Sequence, residues 1–312
     1  MLLVDGRIPI AIKSADWVTK RGYVPGEFKF SMIWDGSSRV REGSRVIYTH
    51  LGRPIFQGFA FKLSSSEDKI VQVTCYDQLR YFKNKDSYVY RDKKASDLLK
   101  MFCGDFGLRP GLVEDTGYVI KSRIEDDQTL FDMMGNAIDL TLQYTRRLFV
   151  LYDDFGGLCL RDIRHMKLPV VITRCNSGSY DWSSEIDSKT YNKIKLFRPD
   201  HGDGDREVVI KEDPCTEALW GILQMTGTVA ENENAEAKAA SLLKLHNKPT
   251  KHLKLKNVEG NPLVRAGSSV LVAMSFLGET VYQYMLVEEA RHHFEANAHM
   301  MDLTLKGGRF EA

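Results

Sequence analysis

From the N-terminus to about Lys85 apolar and polar residues alternate with a period of two, the mark of strands that bury one face. Such stretches run Ile8–Ile12, Phe28–Ile33, Arg45–Thr49, Ile55–Phe61 and Ile70–Cys75. In the last of them Ile70, Gln72 and Thr74 fall on one face and Val71, Val73 and Cys75 on the other. Turn chemistry separates the strands at Leu51-Gly52-Arg53-Pro54 and at Ser64-Ser65-Ser66-Glu67-Asp68. Short strands at this spacing predict a sandwich or small barrel over residues 1–88.

The period then changes. Leu98, Leu99, Met101, Phe102 and Phe106 recur at helical spacing and predict a helix from Ala95 to Phe106, closed by Gly107. A second helix is expected over 127–142, capped by Asp126 or Asp127, with Leu130, Met133, Met134, Ala137, Ile138 and Leu140 as its buried stripe. Tyr118–Ile120 reads as a short strand. Leu148–Tyr152 and Leu158–Asp162 read as a hairpin around Asp153-Asp154-Phe155-Gly156-Gly157. Residues 89–165 are therefore expected to be an α+β unit. Alternation returns in 166–312, a second β-rich domain. Its expected strands are Tyr191–Phe197, Glu207–Ile210, Val270–Met274, Tyr282–Val287 and His299–Leu305, with a polar loop tip at His201–Asp205. An insertion around 212–250 is expected to hold an extended Trp220–Gln224 and a helix over Asn234–Leu245, rich in alanine and leucine.

Two stretches repeat one plan. Glu42-Gly43-Ser44-Arg45-Val46 opens a strand, Ile55–Ala60 answers it, and Ile70–Thr74 follows after a loop. Ala266-Gly267-Ser268-Ser269-Val270 likewise opens a strand. A turn at Leu277-Gly278-Glu279 leads to Val281–Leu286, and His299–Leu305 closes the set. Both share Gly-Ser-x-Val, and both carry an aromatic residue followed by Gln on the next strand. One copy near each end, with a mixed domain between, predicts a duplicated β module.

Charge narrows the role. Lys and Arg number 43 against 42 Asp and Glu, a formal charge of +1, whereas gripping nucleic acid or anionic lipid calls for a basic surplus. No run of about 18 apolar residues is present to span a membrane. Met1-Leu2-Leu3-Val4-Asp5-Gly6-Arg7 lacks the basic start of a secretory signal. The five cysteines, Cys75, Cys103, Cys159, Cys175 and Cys215, are odd in number and widely spaced. They read as free, buried thiols in a protein folded in a reducing cytoplasm, and not as a zinc site.

Candidate chemistry is thin. Asp154-Phe155-Gly156 matches the kinase metal-binding tripeptide but has neither a glycine-rich loop nor a His-Arg-Asp loop with it; a hairpin turn explains it. His292-His293 and His299, with Glu288 and Glu289, lack His-Glu-x-x-His spacing, and neighbouring residues of a strand point to opposite faces. His293 and His299 are six apart across a loop. Asp203, Asp205 and Glu207 fall short of a calcium loop. Arg146-Arg147, Lys93-Lys94 and Lys251–Lys256 read as solvated faces. No catalytic, cofactor-binding or metal-ligating residue is assigned, and a structural, non-enzymatic role is expected.

The runs Val40–Val46, Ile55–Gly58 and Val71–Leu79 resemble the N-terminal part of contractile-tail baseplate hub proteins, the late-control-D and XkdQ-like proteins of phages, prophages and phage-tail-like bacteriocins. Gly267–Val270, Tyr282–Val287, His292-His293-Phe294, Met300–Leu305 and the central helix, strand and Asp153–Gly156 hairpin resemble them too, over nearly the whole chain. The resemblance implies two tube-protein-like β-barrel domains with an inserted α/β domain and a smaller helical insertion. It implies a homotrimer whose six barrels form a ring between a hexameric tail tube and a trimeric central spike. Other baseplate proteins would lie around that ring, and cargo or tape-measure protein would pass through its bore. Such a protein is made and assembled in the bacterial cytoplasm and then leaves as part of the particle. The chain stops at Ala312, so a wall-cutting domain is expected on a separate polypeptide. Two other readings are a peptidoglycan- or glycan-acting tail enzyme with a β-rich binding region, and a secretion-spike hub of a related injection machine.

Overall fold

The computed structural model of the chain describes residues 1–9, 12–34, 40–65, 69–198, 207–229, 234–276, 278–295 and 298–307. Six strands come first: β1 (Leu2–Val4), β2 (Ile12–Lys20), β3 (Glu27–Ile33), β4 (Arg45–His50), β5 (Arg53–Ser65) and β6 (Ile70–Tyr76). They lie in the order β1-β4-β5-β6-β3-β2. Period-two alternation sends Phe28, Phe30 and Met32 of β3, Val46 and Tyr48 of β4, and Val71, Val73 and Cys75 of β6 to one side. There they share a core with Leu2 of β1 and Trp17 of β2, the two ends of the path. A sheet whose end strands meet over one core is curled in the manner of a barrel. Phe28 and Phe56 stack inside it with ring centroids 5.0 Å apart.

The mixed segment follows: β7 (Lys85–Lys93), α1 (Ala95–Asp105), β8 (Pro110–Val113), β9 (Ile120–Thr129), α2 (Leu130–Thr145), β10 (Phe149–Asp153) and β11 (Leu158–Asp162). The expected stripes on α1 and α2 meet in one core, with Leu98, Leu99 and Phe102 beside Leu130, Met133, Met134 and Ile138. Helix α2 starts later than the alternation suggested. Asp126 and Asp127 belong to β9, and Thr129 is the cap, exchanging hydrogen bonds with Asp132 in a capping box. β7 and β9 pair along their length. β7 and the part of β9 after Ile120 were missed, because apolar and polar residues do not sort by face there: Val89 and Ile124 are exposed while Glu125 is buried.

The remaining strands are β12 (Lys167–Ile172), β13 (Tyr180–Glu185), β14 (Lys193–Phe197) and β15 (Val208–Glu212), then α3 (Pro214–Trp220), β16 (Gln224–Thr228), α4 (Ala235–His246), β17 (Thr250–Glu259), β18 (Ser269–Phe276), β19 (Glu279–Phe294) and β20 (His299–Gly307). Two compact units result. One is residues 1–181 with 254–305, the other 182–253. In the smaller unit the sheet runs β15-β14-β16, and Ala235 and Ala239 of α4 lie against Ile194, Leu196 and Val209. The sequence placed β14 and β15 in the second barrel. Here they pair with each other, β14 pairs on its other side with β16, and their apolar faces are covered by α4. Trp220 is not extended but ends α3, which Asp213 caps and Pro214 opens. The expected loop tip at His201–Asp205 and residue Leu277 of the second turn lie outside the described residues.

β12, β13, β17, β18, β19 and β20 lie in the order β12-β18-β19-β20-β17-β13, the residues of β13 from Trp182 on and of β17 up to Leu253 being counted with the smaller unit. Numbered one to six along the chain, the strands of both sets therefore follow 1-4-5-6-3-2. The expected duplication holds for the whole topology. The smaller unit interrupts the second copy between its second and third strands, where the first copy has only residues 21–26. The copies differ at the outer strand, since β1 runs antiparallel to β4 and β12 parallel to β18. One continuous sheet joins them. The first half of β19 pairs with β18, and Glu289–Phe294 pairs with Ala15–Lys20 of β2.

The entry turns of the two copies give a test of this equivalence. Gly43 and Gly267 both have positive φ, +84° and +91°. A Cβ at Gly43 meets nothing within 4 Å, while at Gly267 it would lie 2.6 Å from Val150 Cγ1. Gly43→Ala should therefore cost only the left-handed backbone penalty, about 1–2 kcal/mol. Gly267→Ala should cost about 3 kcal/mol or more, since overpacking is added. Denaturant midpoints of the two variants check the ranking, and equal losses would contradict it.

Candidate functional site

The repeated turn is built alike in both copies. Ser44 N–H donates to Arg41 O at 3.0 Å and Ser268 N–H to Arg265 O at 3.1 Å. In return each serine hydroxyl oxygen accepts the arginine N–H, at 3.1 Å from Arg41 and 3.2 Å from Arg265. Gly43 N–H donates to Ala60 O and Gly267 N–H to Val287 O, both at 2.8 Å. Ala60 N–H and Val287 N–H donate back to Ser44 O and Ser268 O, at 2.9 and 2.8 Å. Each turn thereby fixes the register between the fourth and fifth strands of its module.

In the second copy the same segment also holds the two modules and the mixed segment together. Gly267 lies on Val150 of β10, the approach that its missing side chain permits. The Arg265 guanidinium stacks 4.0 Å above the Tyr152 ring, and its Nη2 donates to Asp153 O at 2.6 Å. Ala266 N–H donates to the Thr19 hydroxyl of β2 at 2.9 Å. Opposite Arg265 the β10–β11 hairpin turns through Phe155 and Gly156, both with positive φ (49° and 81°), the signature of a type I′ turn. Asp153 Oδ1 accepts Gly156 N–H at 2.7 Å, and Gln78 Nε2 donates to Gly156 O at 2.6 Å. Asp154-Phe155-Gly156 is thus a tight turn in a structural lock.

Two carboxyl groups are buried in this lock. Asp77 accepts Gly26 N–H at 2.8 Å and Leu79 N–H at 3.0 Å. Burial and the neighbouring Asp153 push Asp77 well above the usual carboxylate range, against the pull of these N–H donors and Arg265. Burial pushes Asp153 up to about 6, opposed by Gly156 N–H and Arg265. Beside Arg265 a cleft of about 340 Å³ is lined by Trp17, Tyr152, Arg53, Arg161 and Arg265, and among the described residues Asp154 is the one carboxylate lining it.

The histidines fill the seam between the modules. His292 and His293 point to opposite sides, as alternation requires. His292, fully buried, faces Val264 O from Nε2 at 2.8 Å and His299 Nε2 from Nδ1 at 2.9 Å. A carbonyl only accepts, so Nε2 of His292 carries the proton, Nδ1 accepts, and His299 donates. Burial and the neighbouring His299 hold His292 down at about 3, and burial holds His299 down at about 4. It is His292, and not His293, that converges with His299. His293 instead meets Asp16 at 2.8 Å and Asp302 at 3.5 Å. Glu288 receives a two-pronged ion pair from Arg21, and Glu289 pairs with Lys20 at 3.2 Å. Among the described residues no group of three or more His, Cys, Asp or Glu is placed to hold a metal ion.

The other candidates scatter. Asp203 and Asp205 lie outside the described residues, and Glu207 pairs with Arg198 at 3.0 Å. Lys94 pairs with Asp115 and Arg147 with Asp162, both at 2.8 Å, while Arg146 is the left-handed cap of α2. Lys251–Lys256 lies on β17, where Leu253 and Leu255 turn inward between the lysines. Cys75, Cys103 and Cys159 are buried as expected; Cys175 and Cys215 are exposed, because they sit in the turn after β12 and the first turn of α3. Arg265, central to the lock, was missed. Its signal was present, since both copies read Val-Arg-x-Gly-Ser-x-Val, Val40–Val46 and Val264–Val270.

Acid should loosen the seam. His292 titrates near 6.5 when unfolded and at about 3 when folded, so its contribution is full above pH 6.5 and is lost as pH falls toward 3. Asp153, raised from 3.8 to about 6, acts in the opposite sense between those values, since its protonation favours the fold. The difference between parent and His292→Gln isolates the histidine. The variant should be less stable at pH 7.5 by about 1–3 kcal/mol, and the gap should narrow below pH 6.5. Denaturant titrations at pH 7.5, 6 and 5 check this; a gap independent of pH would contradict it.

Comparison with known proteins agrees with the resemblance read from the sequence. A family model described as YQBQ-like matches residues 15–306. The Bacillus subtilis (strain 168) protein YqbQ is 29% identical over 270 residues, covering 85% of this chain and 81% of that protein. The phage-like element PBSX protein XkdQ of the same strain is 28% identical over 270 residues, with the same coverage. Among solved structures, the 43 kDa tail protein of prophage MuSo2 from Shewanella oneidensis aligns with a TM-score of 0.72 at 13% identity, covering 97% of each chain. A tail protein from Neisseria meningitidis MC58 aligns at 0.71 and 14% identity, covering 98% of this chain and 95% of that one. At such identities the structural likeness is one of fold, whereas the family match runs from within β2 to within β20. The chain belongs to the YQBQ-like family.

Proposed function

We propose that this protein is the structural hub of a contractile-tail baseplate. Three copies form a ring of six β modules that joins a hexameric tail tube above to a trimeric central spike below. In this reading the first tube-like domain is residues 1–88, the middle domain 89–165 and the second tube-like domain 166–312 with its insertion. The observation that carries it is the repeated 1-4-5-6-3-2 strand order within one chain. A chain with two equivalent modules presents six near-identical units as a trimer, which meets sixfold symmetry on one side and threefold on the other. The named relative from a phage-like element and the fold shared with prophage tail proteins support the same reading.

The role is mechanical, not catalytic. The ionisable groups at the heart of the fold are engaged in holding it. Asp77 and Asp153 accept backbone N–H groups, and His292 bridges two elements. Hub assembly would take place in the bacterial cytoplasm, with other baseplate proteins around the ring and cargo or tape-measure protein within it, before release as part of the particle. Mass measurement at micromolar concentration, alone and with tube or spike protein, tests the stoichiometry. Multiples of three are expected; monomers, or oligomers whose copy number is not a multiple of three, under all of these conditions would overturn the proposal.

A further inference from the structure

Among the described residues the modules meet at one strand seam. β19 runs on beyond Leu286, where the inner end of its pairing with β18 lies, and its extension pairs antiparallel with β2. Arg21 with Glu288 and Lys20 with Glu289 fasten the end of that seam. The repeat defines where the matching seam of the other module lies. Gly43 N–H meets Ala60 O as Gly267 N–H meets Val287 O, so Ala60 takes the place of Val287. Phe61 and Lys62 then stand where Glu288 and Glu289 stand, on an extension of β5 beyond Phe59, the last residue paired with β4. β13 takes the place of β2.

Both halves of this second seam are open within one chain. Among the described residues β13 pairs with β17 alone, and β6 is the one strand paired with Lys62–Ser65. Lys62, Ser64 and Ser65 are exposed, as are Tyr180, Asp181, Ser183 and Ser184 of β13. Ala15, Trp17, Val18 and Thr19 of the equivalent β2 are buried. Unpaired edges of this kind are templates for another strand.

We infer that β13 of one copy adds antiparallel to the Lys62–Ser65 extension of β5 in a second copy, repeating between chains the β2–β19 seam within the chain. The inference rests on the hub reading and specifies its inter-chain contact. The charges at the seam are exchanged. β2 ends in Lys20 and faces acids on β19; β13 ends in Glu185 and would face Lys62 on β5. Glu185 accepts a hydrogen bond from the Ser188 hydroxyl and lies 3.7 Å from His252, and Lys62 has no ion-pair partner among the described residues. Two wrong pairings are thereby disfavoured. β2 against β5 sets Lys20 and Arg21 against Lys62, and β13 against β19 sets Glu185 against Glu288 and Glu289. Like charges at an interface reject the wrong partner, so first and second modules alternate around the ring. The contact is head-to-tail, and such contacts close when the rotation per copy completes a circle.

Sedimentation of the full chain at low ionic strength, where surface charges are least screened, tests this. Lys62→Glu and Glu185→Lys should each raise the trimer midpoint concentration about tenfold, because a small loss is repeated at three interfaces. The double variant Lys62→Glu/Glu185→Lys should return most of the affinity. Trimers with the same midpoint in parent and single variants would overturn the seam and leave the hub reading standing. A loss that the double variant does not recover would also overturn it. A parent chain that never forms trimers, alone or with tube and spike, would remove the hub reading and the seam with it.

Discussion

Backbone pairing between β2 and the extension of β19 is the interaction on which the architecture depends. It turns two curled modules into one continuous sheet. Its geometry is set from behind by the Val264–Val270 turn, which fixes the β18–β19 register and presses Gly267 onto Val150. Because the side-chain period of a strand is two, a slip of one residue here would reverse every inward residue of the extension. His292 would leave the seam and His293 would enter it. The paired hydrogen bonds at Gly267 and Val287, and the fully buried His292, make that slip costly.

The hydrogen bonds around this seam account for the ionisable side chains that lie in the interior. Arg265, Asp77, Asp153 and His292 join segments distant in sequence. Each is positioned by hydrogen bonds to backbone N–H or carbonyl groups. A buried polar lock of this kind contributes less to net stability than to selecting one arrangement of domains.

Much of this was legible in the sequence, for physical reasons that differ by element. Strands β3, β4 and β6 bury one face and solvate the other, so their alternation is clean. The helices α1 and α4 announce themselves by stripe and cap. β7 and β9 were hidden because in their two-stranded ribbon Val89 and Ile124 face outward and Glu125 inward, which gives little apolar period to read. Helix α3 is too short for a stripe, and its Asp213-Pro214 start was the available signal. The duplication was visible through Gly-Ser-x-Val because glycine is required at a positive φ in both turns. Arg41 and Arg265 extend the motif, but the tie of Arg265 to Asp153 is a contact 112 residues apart in sequence, which local spacing does not report. The meeting of His292 with His299 was obscured for a related reason, since it depends on which face of β19 turns inward.

The repeated strand order, the open edges that it leaves and the exchanged charges describe one economical solution: a module used twice per chain, with the second copy interrupted where the first has a short turn. The central claim is that the two modules are equivalent units of one ring. The most direct measurement is a cryo-electron microscopy reconstruction of the assembled protein with only threefold symmetry imposed. The account predicts that a rotation of about 60° carries each first module onto a second module at the same radius and tilt. First and second modules at different radii, or in separate layers, would contradict it.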